Sequence, residues 1–162
     1  MKEKTQNIFI IVTVALAIFV TNLDISIVNI ALPTLSEIFN TGTDEVSRVI
    51  VAYLLALVGS LMIFGHLTDQ KGMEKMFVIG FAVFTLASAL CAISPSMDFL
   101  NIFRFVQGLG GAMLLSTFGA IILKYLPVEI RGRAFGFCTV FGGTGVTIGP
   151  PVGGFMVQYL SW

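Results

Sequence analysis

Residues 8–32 read IFIIVTVALAIFVTNLDISIVNIAL, with one charge, Asp24, in 25 positions. A span of the bilayer needs about 20 mostly apolar residues at 1.5 Å rise each, and this stretch is long enough to cross. Four more stretches qualify: 49–65, which carries no charge, 76–93, 99–123 with the single base Arg104, and 134–160, again without charge. Their apolar runs are continuous rather than alternating, which excludes a transmembrane β-barrel. The fold class is therefore an all-α membrane protein with five spans. Glycine and proline inside the runs do not argue against helix in a bilayer.

The composition agrees. Hydrophobic residues make up 56% of the 162 and charged residues 11%, against about 25% charged in ordinary soluble domains. The net charge is zero, so the chain has no electrostatic footprint for nucleic acid. Its natural partner is the lipid bilayer. Cys91 and Cys138 lie in apolar runs, and two isolated cysteines imply neither a disulfide framework nor a metal site.

Between the spans, Pro33, Pro95 and Pro127 stand as expected helix stops. The bases are sorted by side. Lys2, Lys4, Lys71, Lys75, Lys124, Arg131 and Arg133 fall at one membrane face, and only Arg48 at the other. The positive-inside rule makes the rich side cytoplasmic, with the N-terminus inside and Trp162 emerging outside. The lysines before the first apolar run imitate a signal peptide. No small-residue cleavage site follows, and the run continues past Asp24.

Two charges stand inside the bilayer. Asp24 is about 24 Å along its helix from Ile8, leaving about 10 Å to the outer end, and Arg104 is roughly 8 Å below the outer surface on span 4. Each costs about 2.5–3.5 kcal/mol near a helix centre, so both should face the bundle interior or a watery cavity. Burial favours a protonated carboxyl and a nearby cation favours the carboxylate. A carboxyl group that feels the two in turn binds and releases protons. The bland alternative is a permanent structural ion pair. Asn22, Ser26 and Asn29 share a helix face at i, i+4, i+7, and Gln107 follows Arg104 by one turn. They are candidates for a substrate cavity, with interhelical hydrogen bonding as the competing use.

Gly145, Gly149 and Gly153 repeat every four residues on span 5, where Pro150 and Pro151 should bend the helix. Small residues line span 4 (Gly108, Ala112, Ser116, Ala120) and span 2 (Ala52, Ala56, Ser60). They predict tightly packed helices.

Four segments resemble motifs of the major facilitator superfamily. LDISIVNIALP at 23–33 resembles the L-D-x-T-I-V-N-V-A-L-P signature of the drug:proton antiporter branch with fourteen spans, the EmrB/QacA type, with Ser26 in place of Thr. GHLTDQKGMEK at 65–75 resembles the loop motif G-x-L-A-D-R-x-G-R-R-K. Gly65, Leu67, Asp69, Gly72 and Lys75 match, while Gln70, Met73 and Glu74 replace bases. The resemblance implies a charged cytoplasmic latch at this loop, either weakened by the missing base at Met73 or held by Lys71 and Arg131 as substitutes. RFVQGLGGA at 104–112 resembles R-x-x-Q-G-x-G-x-A, whose arginine the resemblance implicates in proton transfer. The ten residues from Gly145 to Gly154 resemble the antiporter motif G-x-x-x-G-P-x-x-G-G, which includes Gly149, Pro150 and Gly153.

The resemblance implies the first five helices of a six-helix N-terminal half. It further implies proton-coupled export of drugs or other small molecules across the inner membrane, by Asp24 and Arg104, without a cofactor. On this expectation the chain is a fragment that lacks the C-terminal half and does not transport alone. The alternative is a non-transporting module that needs a second half or a partner subunit. An enzyme is not expected. There is no G-x-x-x-x-G-K-S/T loop, His66 is the only histidine, and no Ser/His or metal-ligand cluster is present.

Overall fold

The computed structural model describes residues 2–159. They form five helices and, among the described residues, no strand: α1 (Lys2–Ile38), α2 (Thr43–Lys71), α3 (Met73–Ala92), α4 (Met97–Tyr125) and α5 (Val128–Tyr159). All five are long and apolar enough to cross a membrane. Leu160, the expected end of span 5, and Trp162 lie outside the described residues.

The helices overrun the apolar stretches at most ends, because backbone hydrogen bonding inside a helix continues after the bilayer core is left. Pro33, expected to stop α1, lies inside it. A proline removes one N–H but need not end a membrane helix, and α1 stops only where Asn40 turns to φ 49. There Ser36 Oγ donates to the Thr41 carbonyl at 2.6 Å. Pro150 and Pro151 likewise sit inside α5. Pro95 lies in the α3–α4 turn and Pro127 between α4 and α5. The α2–α3 break is one residue wide: Gly72 at φ 92, a conformation that suits glycine.

Successive helices alternate in direction. One end of the bundle collects the start of α1, the α2–α3 turn and the α4–α5 turn, and we call it the basic face. The opposite face collects the α1–α2 and α3–α4 turns. α1 packs chiefly on α5, and α4 packs on both α2 and α3. These contacts depend on glycine. A Cβ on Gly110 would stand 2.6 Å from the Phe84 backbone N, and one on Gly80 2.6 Å from Met113 Cβ, so α3 and α4 touch backbone to backbone. A Cβ on Gly108 would overlap the Tyr53 carbonyl on α2. Helices in lipid gain little from apolar burial, and such close approach replaces it. The bundle turns apolar side chains outward, Met62, Val58, Leu55, Phe9 and Leu86 among them. In water this surface would aggregate; in a bilayer it is the solvated surface. The protein is an integral membrane protein.

Candidate functional site

The two intramembrane charges meet inside the bundle. Asp24 comes from α1. Arg104 and Gln107 come from α4, three residues apart and therefore on one face of that helix. Arg104 Nη1 donates to Asp24 Oδ2 at 2.7 Å. Gln107 Nε2 donates to Asp24 Oδ1 at 3.0 Å. The side chains of Arg104 and Asp24 are 10% and 14% exposed, so both are withdrawn from lipid and solvent. Gln107 is fully buried. A carboxylate only accepts, which orients the Gln107 amide with its nitrogen toward Asp24 and its oxygen away. That oxygen receives a long contact from Cys91 Sγ on α3 at 3.8 Å. α4 thus supplies both donors to the α1 carboxylate, and α3 touches the second of them through Cys91.

The pair is held tightly but not fully satisfied. Arg104 Nε and the Tyr53 hydroxyl are buried without a hydrogen-bond partner among the described residues. A cavity of about 150 Å³ borders Arg104, Cys91 and Ser88 and is otherwise walled by apolar side chains and Gly153. It is roomy enough for water. Removing one member of a buried ion pair typically costs 3–5 kcal/mol, because the other charge is left without compensation. An arrangement of this kind can exchange partners when the carboxyl gains a proton.

The other candidates are divided. Asn22 Nδ2 donates to the Gly142 carbonyl at 3.2 Å and Ser26 Oγ to the Val146 carbonyl at 2.9 Å, so both tie α1 to α5. Asn29, on the same helix face, is exposed and donates to its own helix at Ile25. Of the α5 motif, Gly145 and Gly149 are buried against α1, where Cβ atoms would strike the Phe19 carbonyl and Ser26 respectively. Gly153 lies against Ile27. Pro150 is exposed, and Gly154 has open space where a Cβ would go.

In the α2–α3 loop, Gly65 has no close neighbour, Gly72 makes the turn, and Asp69 and Lys75 are exposed. The expected latch partners do not meet. Among the described residues no ion pair joins Asp69 to Lys71 or Arg131, and Arg131 Nε instead donates to the Leu126 carbonyl at 2.9 Å. The charge contact of this loop runs through Glu74, which pairs with Lys124 Nζ of α4 at 3.0 Å and accepts from the Tyr125 hydroxyl. The sequence carried a signal for it: an acid stands where the motif has a base, and Lys124 ends α4 at the same face. Tyr53 was readable too, as a phenol in a span free of charge. No group of three or more metal-ligating side chains occurs among the described residues.

The profile of the Major Facilitator Superfamily matches residues 14–162, nearly the whole chain. The chain belongs to the Major Facilitator Superfamily. This is a family of membrane transporters, and the five helices are part of its fold. The chain is 30% identical over 157 residues to the riboflavin transporter RibZ of Clostridioides difficile, covering 97% of this chain and 34% of the relative. It is 38% identical over 149 residues to the multidrug resistance protein MdtD of Pectobacterium atrosepticum and to that of Serratia proteamaculans. Each of those matches covers 92% of this chain, and 32% and 31% of the relatives. The chain spans about a third of the length of the curated relatives it matches.

Proposed function

We propose that these helices serve proton-coupled export of drug-like organic molecules, with Asp24 as the coupling acid and Arg104 as its exchangeable partner. The reading is supported by one observation above the rest: an aspartate withdrawn from lipid and bonded at both oxygens, to Arg104 at 2.7 Å and Gln107 at 3.0 Å. The cycle follows from that geometry. With Asp24 ionised, the pair holds α1 on α4. Protonation removes the attraction and leaves Arg104 to find another acceptor, which loosens the α1–α4 contact and favours the alternative access state. Reionisation on the other side restores it. The names of the multidrug resistance relatives suggest the substrate class, and the riboflavin transporter widens it to flat heteroaromatic compounds. The basic face is assigned to the cytoplasm, because Lys4, Lys71, Lys75, Lys124, Arg131 and Arg133 collect there. On this reading the protein sits in the cytoplasmic (inner) membrane. Proton antiport requires the remainder of a transporter to complete the cavity.

The test is efflux by the full transporter in inverted vesicles with an imposed proton gradient. Asp24→Asn keeps the shape of the carboxyl group and removes its titration, so gradient-driven transport should fall at least a hundredfold while substrate exchange without a gradient persists. Unchanged gradient-driven efflux would remove Asp24 from the mechanism.

A further inference from the structure

Gln107 is fully buried, which leaves no surface of it for any other part of a transporter to reach. The ends of its amide are used unequally. Nε2 donates to Asp24 Oδ1 at 3.0 Å. Oε1 has one hydrogen-bond contact among the described residues, the Cys91 thiol, which donates to it over 3.8 Å. The ionisable groups around this point are Asp24 on α1, Cys91 on α3 and Arg104 on α4 itself. From α2 comes Tyr53, which lies against Gly108 and Gly111 of α4. The described acids and bases of α5, Glu129, Arg131 and Arg133, all stand at its basic end.

Protonation of Asp24 sets a problem at this contact. Arg104 Nη1 covers Oδ2 at 2.7 Å, so Oδ1 is the oxygen left to take a proton from water. The new O–H is a donor, and it faces the donor Nε2. No other covalent bond changes, and no backbone need move to relieve the conflict. The terminal torsion of glutamine is broad and close to two-fold, and the amide nitrogen and oxygen differ little in size. A half-turn sets Oε1 on the carboxyl O–H and Nε2 on the Cys91 sulfur. A thiol suits both arrangements, as a weak donor before the turn and a weak acceptor after it. We propose that Gln107 is a positioning residue for the coupling proton, whose amide turns over when Asp24 is protonated and so hydrogen-bonds the carboxyl group in both of its forms. The proposal rests on the reading of Asp24 as the coupling acid. The bond given up in the turn is the long one to Cys91, and a buried neutral carboxyl group gains an acceptor in exchange.

The test is infrared difference spectroscopy of the full transporter as the pH is lowered. Protonation of Asp24 appears as a carboxyl C=O band that Asp24→Asn removes. When the amide turns, the Cys91 S–H loses its acceptor. Its stretching band, assigned by its loss in Cys91→Ala, should move to higher frequency, with the same midpoint pH as the carboxyl band and in one-to-one proportion to it. The Gln107 amide C=O, assigned by isotope-labelled glutamine and its loss in Gln107→Leu, should move to lower frequency as it begins to accept from the carboxyl O–H. Both shifts should be absent in Asp24→Asn. If Gln107→Leu does not fold, the S–H band alone decides, since its assignment needs only Cys91→Ala. A carboxyl band that titrates while the S–H band stays fixed overturns the turning amide and leaves the coupling acid standing. Failure to find any carboxyl band that Asp24→Asn removes overturns both.

Discussion

Gly145→Ala is the most informative single substitution in the α1–α5 contact. The added methyl would lie 2.7 Å from the Phe19 carbonyl oxygen, 3.2 Å from Leu23 N and 3.3 Å from Phe19 Cδ2. Ordinary contact is about 3.5 Å, so the helices must part by roughly 0.8 Å. The first two obstacles are backbone, and no rotamer change moves them aside. Overpacking of this kind costs about 1–3 kcal/mol. The same parting stretches the Asn22 and Ser26 bonds to α5, each worth about 0.6 kcal/mol. A total of about 2–4 kcal/mol is expected, which at the lower end already shifts the folded-to-unfolded ratio about thirtyfold. The assay is reversible unfolding in mixed micelles with increasing sodium dodecyl sulfate. Gly143→Ala is the reference, since a Cβ there meets nothing within 4 Å. It should be neutral, or slightly stabilising through helix propensity. Adding Phe19→Ala to Gly145→Ala should restore little, because the carbonyl remains. Equal stability of Gly145→Ala and Gly143→Ala would refute the close-contact argument, and full rescue by Phe19→Ala would show the obstacle to be side chain.

Arg104→Leu should destabilise by about 3–5 kcal/mol in the same assay, and Asp24→Leu/Arg104→Leu should recover most of it, because the stranded charge is gone. Gln107→Leu removes one of the two donors to Asp24 and should cost about 1.5–3 kcal/mol, measured likewise. Lys124→Met breaks an exposed, solvent-screened pair, so stability should barely change, and high salt should erase any difference. Gly108→Leu should prevent α2 from seating on α4, read as loss of folded protein on size-exclusion chromatography in detergent.

The five spans were legible because apolar length is the one requirement a bilayer imposes on a helix. Asp24 and Arg104 stood out on the same ground, as charges at similar depth on different helices. Their direct contact was not legible, since depth says nothing of rotation about the helix axis. Asn22, Ser26 and Asn29 illustrate the gap. Their spacing puts them on one face, yet only the first two donate hydrogen bonds to α5. The neighbours of the α5 glycines explain it: Gly142 meets Ile18 and Asn22, Gly149 meets Ser26, and Gly153 meets Ile27. The contact line drifts around α1 as the helices cross, and Asn29 is left outside it. Pro33 misled for another reason. It weighs one hydrogen bond against a helix that lipid otherwise compels, and the helix prevails. The Glu74 contact depends on a tertiary neighbour, Lys124, fifty residues away, which local pattern cannot locate.

The paired hydrogen bonds between α1 and α5 have equal pitch. Donors Asn22 and Ser26 are four residues apart, and so are the acceptor carbonyls of Gly142 and Val146. The two helices run parallel, and the bare positions Gly145, Gly149 and Gly153 recur at that same interval. A slip of four residues, about 6 Å, would carry Asn22 to the carbonyl now used by Ser26 and set Ser26 over Gly153. Half that slip would leave both donors without partners. The seam therefore has discrete resting positions, like teeth on a rack, and the interval between them is four residues.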